Sequence, residues 1–136
     1  MNALIIGCSD GRIAASLDAL QAAVATPDAQ RFFVPGGILP LTRPGTERRV
    51  ALECVREIVE EHDVRTIHLV AHQECAAYER ALGGLGFDQQ ELLERDLRRV
   101  ETLLETTFSG VDVRSYVIPW HEDGGVAGYG AAAPVD

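Results

Sequence analysis

The sequence has few basic residues and no long hydrophobic run. Of its 136 residues, 12 are lysine or arginine and 21 are aspartate or glutamate, which gives a formal net charge of −9 at pH 7. Nucleic acids and anionic membranes select clustered Lys and Arg, so neither is an expected partner. No apolar stretch approaches the roughly 20 residues that are needed to cross a bilayer. The chain begins with a strand-like segment rather than a signal peptide, so we expect a cytoplasmic protein.

Cysteines are also scarce: the chain has three, Cys8, Cys54 and Cys75. An odd number of cysteines does not indicate a disulfide framework, and thiols stay reduced in the cytoplasm. The apolar fraction of 46% and the charged fraction of 24% are ordinary for a globular protein. At this length, we expect one domain that spans residues 1–136.

Segments typical of strands and helices alternate along the chain. This alternation predicts an α/β fold with a parallel-sheet core of about four strands flanked by helices. The predicted strands are Ala3 to Gly7, Arg31 to Val34, Arg65 to Ala71 and Val113 to Pro119. The predicted helices are Ile13 to Val24, Thr46 to about His62, a short one from near Glu74 to Gly83-Gly84, and a long one after Asp88 that Gly110 stops.

Apolar spacing indicates which helix faces are buried. Thr46 is the predicted N-cap of the second helix, and Asp88 and Glu91 have capping-box spacing at the start of the long helix. The tail from about residue 121 is rich in Gly and Ala, so we expect it to be extended or packed on a partner subunit. The predicted buried stripes are Ile13, Leu17, Leu20 and Val24; Val50, Cys54 and Ile58 with Ala51, Val55 and Val59; and Leu93, Leu97, Val100 and Leu104.

Two short motifs carry the strongest functional signal: Cys8-Ser9-Asp10-Gly11-Arg12 and His72-Gln73-Glu74-Cys75. Each follows a predicted buried strand. Parallel strands place their carboxyl ends at one edge of the sheet, where ligands of open α/β folds bind. If the two strands are neighbours, Cys8, His72 and Cys75 can hold one zinc ion, and three protein ligands leave the open position typical of a catalytic site.

Each motif taken alone is weak. A cysteine at a strand end is more often a small buried hydrophobic residue than a ligand. Asp10 and Arg12 can form an ion pair beside the metal, in which Arg12 keeps Asp10 ionised and oriented. Asp10 can equally cap a helix that starts near Arg12. The two roles do not exclude each other.

The two motifs resemble those of the β-class carbonic anhydrases, with the same order and a helix–strand–helix segment between them. Phe33-Val34-Pro35-Gly36-Gly37 sits where that family usually carries an Arg-Asn-Ala-Gly-Asn-like stretch. The segment from Trp120 to Gly128 looks like the family's closing strand and turn. This resemblance covers nearly the whole chain.

The resemblance implies a role for each motif residue. Cys8, His72 and Cys75 would ligate Zn²⁺, and Asp10 and Arg12 would form the catalytic pair. The implied reaction is the hydration of carbon dioxide to bicarbonate by a zinc-bound hydroxide, in a homodimer or a higher homo-oligomer. Two alternatives stay open: a related zinc hydrolase of carbonyl sulfide or carbon disulfide, and a catalytically silent module that zinc stabilises.

Five further residues receive weaker assignments. Cys54 is expected in the core and His68 within a strand as a structural residue. His121 is either a proton shuttle or, by preference, a solvated loop histidine. Gly36-Gly37 either allows a close backbone approach to the site or makes a turn.

Overall fold

The computed structural model describes residues 2–82, 88–123 and 126–135. The predicted end of the short helix at Gly83-Gly84 lies outside these residues. The strands are β1 (Ala3–Cys8), β2 (Gln30–Val34), β3 (Thr66–His72), β4 (Asp112–Ile118), β5 (Trp120–Asp123), β6 (Val126–Tyr129) and β7 (Ala133–Val135). The helices are α1 (Ala14–Val24), α2 (Thr46–Glu61), α3 (Ala76–Leu82) and α4 (Gln89–Thr107).

Five of the strands form one mixed sheet in the order β2-β1-β3-β4-β7. The first four are mutually parallel, which confirms the predicted parallel core of an α/β fold. The fifth, β7, runs antiparallel to β4, with Ser115 opposite Val135. The four predicted strands therefore form the parallel core, and β7 adds an antiparallel edge strand.

The central strands are covered on both faces. Every residue of β1 is buried, and β3 is buried from Ile67 to His72. Continuous burial is expected for parallel strands between two helical layers. Ile6 of β1 pairs with Leu69 of β3, so the two strands leave the sheet at the same edge.

Helix α4 follows the sequence prediction closely. Asp88 is its N-cap, and the Oδ1 atom accepts hydrogen bonds from the backbone N–H groups of Gln90 at 3.0 Å and Glu91 at 3.2 Å. Such a side chain satisfies N–H groups that have no partner in the first turn. The predicted stripe of Leu93, Leu97, Val100 and Leu104 is buried.

Helix α2 departs from the prediction in two ways. It begins at Thr46, and Gly45 takes the N-cap position without any side-chain hydrogen bond. Its buried stripe is Ala51, Val55 and Val59. The other predicted stripe lies to one side: Val50 is 53% exposed, and Cys54 is only half-buried instead of in the core. Two adjacent apolar stripes cannot both face the sheet, since neighbouring positions on a helix differ by about 100°.

Helix α1 shows a smaller departure of the same kind. Ile13, Leu17 and Leu20 are buried as predicted, whereas Val24, the last residue of the helix, is 39% exposed. Among the residues that the structure describes, no helix combines the length and the apolar character that a membrane span requires.

The C-terminal segment forms three strands. The family resemblance indicated a closing strand and turn from Trp120 to Gly128, where β5 and β6 lie, but nothing in the sequence indicated β7. β5 and β6 pair as an antiparallel hairpin, with Trp120 opposite Tyr129. The Ser16 hydroxyl of α1 donates a hydrogen bond to the Gly130 carbonyl at 2.8 Å, which ties the segment to the body of the domain. Half of the residues of β5 and β6 are Asp, Glu, Gly or Ala, which have low strand propensity, so cross-strand pairing contributes to the stability of this hairpin.

A buried histidine on β3 has no role in the motifs. The Nδ1 atom of His68 lies 3.2 Å from the Tyr116 hydroxyl of β4. Burial lowers the pKa of His68 below the ordinary value of 6.5, and the charge of Arg114 adds to this effect while Asp112 opposes it. His68 is therefore neutral in the folded protein near neutral pH.

We expect the free energy of unfolding to fall as the pH drops below about 6.5. In that range, His68 binds a proton in the unfolded chain but stays neutral in the folded chain, where its pKa is lower. The variant His68→Gln should flatten this part of the curve. Urea unfolding between pH 5 and pH 8 measures the effect, and His62→Gln, which changes an exposed histidine, is the control. Equal slopes for the wild type and His68→Gln would contradict the assignment.

Candidate metal centre

Three potential metal ligands meet at the carboxyl edge of the sheet. Cys8 is the last residue of β1, His72 is the last residue of β3, and Cys75 directly precedes α3. All three are buried, and their ligand atoms lie within 4.8 Å of one another. Because β1 and β3 are adjacent and parallel, residues distant in sequence are brought to one point.

The hydrogen bonds of His72 leave one ring nitrogen free. The Nδ1 atom lies 2.8 Å from the backbone carbonyl oxygen of Gln73. A carbonyl oxygen only accepts, so Nδ1 carries the hydrogen and Nε2 carries the lone pair. In the described part of the chain, Nε2 is buried and has no hydrogen-bond partner. A buried polar atom without a partner is unfavourable unless something binds it.

The two thiols share their protons unequally. The pKa of Cys8 is lowered to about 4, chiefly because the Cys75 thiol donates a hydrogen bond to its sulfur. Burial opposes this effect, while the neighbouring His72 side chain and the backbone groups of Asp10 and Gly36 add to it. The pKa of Cys75 is raised, first by its hydrogen bond to Cys8 and then by burial. Without a cation, the pair therefore holds one proton.

This donor set fits zinc. Two thiolates and one neutral imidazole are ligands that Zn²⁺ prefers. A divalent cation would also favour the ionisation of both the Cys8 and the Cys75 thiol, which is unfavourable without it. The unpartnered Nε2 atom of His72 would be satisfied in the same step.

The carboxylate of Asp10 is held by Arg12. The Arg12 Nη2 atom donates to Oδ2 at 2.7 Å, and Nε donates to both carboxylate oxygens at 3.1 Å. The Arg12 backbone N–H also donates to Oδ1 at 2.9 Å, so Asp10 caps the short 3-10 helix Gly11–Ile13 as well. The ion pair with Arg12 and the helix cap are therefore both present in the structure, while the role of the pair beside a metal stays a prediction. These contacts with Arg12 lower the pKa of Asp10 to about 2, so the carboxylate is ionised at neutral pH.

The loop between His72 and Cys75 is anchored to α4 by amide side chains. The Gln73 Nε2 atom donates to Gln90 Oε1 at 2.8 Å, and the Glu74 backbone N–H donates to Gln89 Oε1 at 2.9 Å. Glu74 has a positive φ of 55°, which is uncommon for a residue with a side chain. Sequence reasoning did not predict these contacts, because paired glutamines near a helix start carry no spacing signal.

Gly36 and Gly37 serve both of the roles that the sequence left open. Their φ values are 81° and 61°, so they make a left-handed turn. A Cβ atom on Gly37 would lie 3.0 Å from the backbone nitrogen of Cys8 and 3.1 Å from the carbonyl carbon of Gly7. The turn after β2 thus packs directly against the backbone that carries Cys8.

Comparisons with solved structures identify the fold. The β-carbonic anhydrase CafA of Aspergillus fumigatus superposes with a TM-score of 0.56 at 16% identity, over 97% of this chain and 76% of that one. The carbonic anhydrase from Streptococcus mutans gives 0.56 at 17% identity, over 93% and 80%. A tetrameric β-carbonic anhydrase from Sordaria macrospora gives 0.53 at 18% identity, over 97% and 82%. The chain has the β-carbonic anhydrase fold. No family model and no curated protein matches the sequence.

Within this β-carbonic anhydrase fold, the C-terminal hairpin adds two aromatic residues that sequence reasoning missed. The guanidinium carbon of Arg12 lies 5.9 Å from the ring centre of Trp120 and 5.5 Å from that of Tyr129. Both distances are in the range of cation–π attraction. His121 of the same hairpin is exposed, and the three-residue donor group does not include it. Two aromatic residues in a segment rich in Gly and Ala are the only sequence signal for this contact.

We expect Gly37→Ala to lower the free energy of unfolding by about 2 kcal/mol or more. Alanine would have to adopt a left-handed backbone conformation there, and its Cβ atom would overlap with the backbone of Cys8. Thermal unfolding measures the change. Gly128→Ala is the matched control, since a Cβ atom there meets nothing within 4 Å. Equal melting temperatures for the two variants would show that the turn does not need glycine.

Proposed function

We propose that this protein is a zinc enzyme that hydrates carbon dioxide to bicarbonate, with Cys8, His72 and Cys75 as the metal ligands. The observation that carries the proposal is the convergence of three buried donors, one of them an unpartnered imidazole nitrogen, at the edge of the sheet where Asp10 also lies. The fold supports it, because the similar structures named above are carbonic anhydrases.

Zinc in such a site supplies hydroxide near neutral pH by making water more acidic. We assign to Asp10 the role of a hydrogen-bond acceptor at this site, where its carboxylate would orient the hydroxyl group that attacks carbon dioxide. With a pKa of about 2, the Asp10 carboxylate is a hydrogen-bond acceptor at neutral pH and does not store a proton. Arg12 fixes the carboxylate through the three side-chain contacts described above, which limits its rotation.

Metal analysis and stopped-flow hydration of carbon dioxide test this proposal together. We expect one zinc per chain, zinc loss in Cys75→Ser, and full zinc content with about 100-fold lower kcat in Asp10→Asn, which cannot accept the hydrogen bond in the same way.

Two positions outside the donor group provide matched controls. Cys54→Ser removes the cysteine outside the donor group and should keep zinc. Asp18→Asn removes a carboxylate that pairs with Arg31 at 3.0 Å on the surface and should keep the wild-type rate. A wild type without zinc would refute the metal site. Zinc without hydration of carbon dioxide would favour a silent module or, if carbonyl sulfide or carbon disulfide is consumed, the related hydrolase.

We also propose a homodimer or a larger homo-oligomer in a reducing compartment such as the cytoplasm, since the site needs two reduced thiols. Val50 is 53% exposed on α2, and β2 is an edge strand with half-buried Phe32 and Phe33, so apolar surface is available for association. Sedimentation equilibrium should give at least twice the chain mass of 14.7 kDa, and a monomer mass would contradict the assembly.

A further inference from the structure

We propose that Tyr129 is a positioning residue for His72: its hydroxyl group holds the carbonyl group that selects the imidazole tautomer needed for metal binding. The inference rests on the proposed zinc site. Tyr129 lies on β6, far from His72 in sequence, and neither motif includes it.

The Tyr129 hydroxyl lies among three polar atoms of the metal-site loop. It donates to the carbonyl oxygen of Gln73 at 2.9 Å, and the carbonyl oxygen of Glu74 lies 3.3 Å away. The same oxygen lies 3.2 Å from the Nδ1 atom of His72. The ring stands edge-on to the imidazole, with a centroid separation of 5.3 Å. One side chain thus touches both the ligand and the peptide group that orients it.

The Gln73 carbonyl needs such support. It accepts the hydrogen bond from His72 Nδ1, and this bond keeps the lone pair on Nε2. The next residue, Glu74, has a φ of 55°, a conformation that disfavours residues with a side chain. The peptide between Gln73 and Glu74 can therefore relieve strain by rotating. Two hydrogen bonds from outside the loop oppose that rotation: Gln89 Oε1 accepts from the Glu74 N–H, and the Tyr129 hydroxyl donates to the Gln73 carbonyl oxygen, each at 2.9 Å. Tyr129 holds the carbonyl end, the end that orients His72.

Loss of the Tyr129 hydroxyl should weaken metal binding by changing the tautomer of His72. Once the peptide rotates, Nδ1 loses its acceptor, and the imidazole can carry its hydrogen on Nε2 instead. The lone pair then faces away from the two thiols, and metal binding must first reverse the tautomer. Removing a partner of this kind typically weakens metal binding 10- to 100-fold.

The chain offers a matched control for the Tyr129→Phe variant. The Tyr116 hydroxyl lies 3.2 Å from His68 Nδ1, the same separation, in a buried pair outside the donor group. Phenylalanine keeps the ring at either position. At residue 129 it preserves the edge contact with Trp120, at 4.8 Å between ring centres, and the packing under Arg12.

Two measurements on the full chain test the proposal. Competition with a chromophoric chelator gives the zinc affinity, and long-range ¹⁵N–¹H NMR of the metal-free protein reports the tautomer of His72. We expect Tyr129→Phe to weaken zinc binding about 10-fold or more and to add an Nε2–H population at His72. Tyr116→Phe should match the wild type in both measurements.

The outcomes separate this inference from the proposed function. A wild type that binds no zinc refutes the metal site, while the tautomer of the metal-free protein still tests Tyr129. Three results overturn the inference: an Nε2–H tautomer at His72 in the wild type, an unchanged tautomer in Tyr129→Phe, or equal losses of zinc affinity in Tyr129→Phe and Tyr116→Phe.

Discussion

The candidate site depends on the register between β1 and β3. Ile6 pairs with Leu69, so Cys8 and His72 end their strands at one edge of the sheet. Side chains alternate between the two faces of a strand, so a slip by one residue would turn Cys8 away from His72. The hydrophobic burial of both strands fixes this register, and the geometry of the donors follows from the packing of residues with no chemical role.

The same packing makes the site unfavourable without a cation. Cys8, His72 and Cys75 are buried, Nε2 has no partner in the described residues, and the raised pKa of Cys75 opposes ionisation of both thiols. Burying polar groups without full hydrogen bonding costs free energy. A cation that satisfies all three at once therefore stabilises the folded chain as well as the site, which couples metal binding to folding.

The sequence predicted the features that local pattern determines. The four parallel strands, the Asp88 cap and the buried stripe of α4 follow from periodicity and capping residues, and the three donors follow from their place after strands. The prediction of buried residues was wrong where two apolar stripes lie side by side on one helix. On α2, Val50 and Cys54 belong to the stripe that does not face the sheet. The closing strand and turn from Trp120 to Gly128 were indicated only by the family resemblance, because half of the residues of β5 and β6 have low strand propensity, and β7 was not indicated at all.

The hairpin joins the two motifs in a way that their spacing does not reveal. Tyr129 contacts the loop that follows His72, and its ring also lies beside Arg12, the partner of Asp10. Arg12 in turn donates to the Glu74 carbonyl at 3.4 Å. The three candidate metal ligands and the Asp10–Arg12 pair are thus connected by a third segment as well as by the sheet. A displacement of the hairpin would therefore disturb the carboxylate and the imidazole together, because the same aromatic side chain supports both.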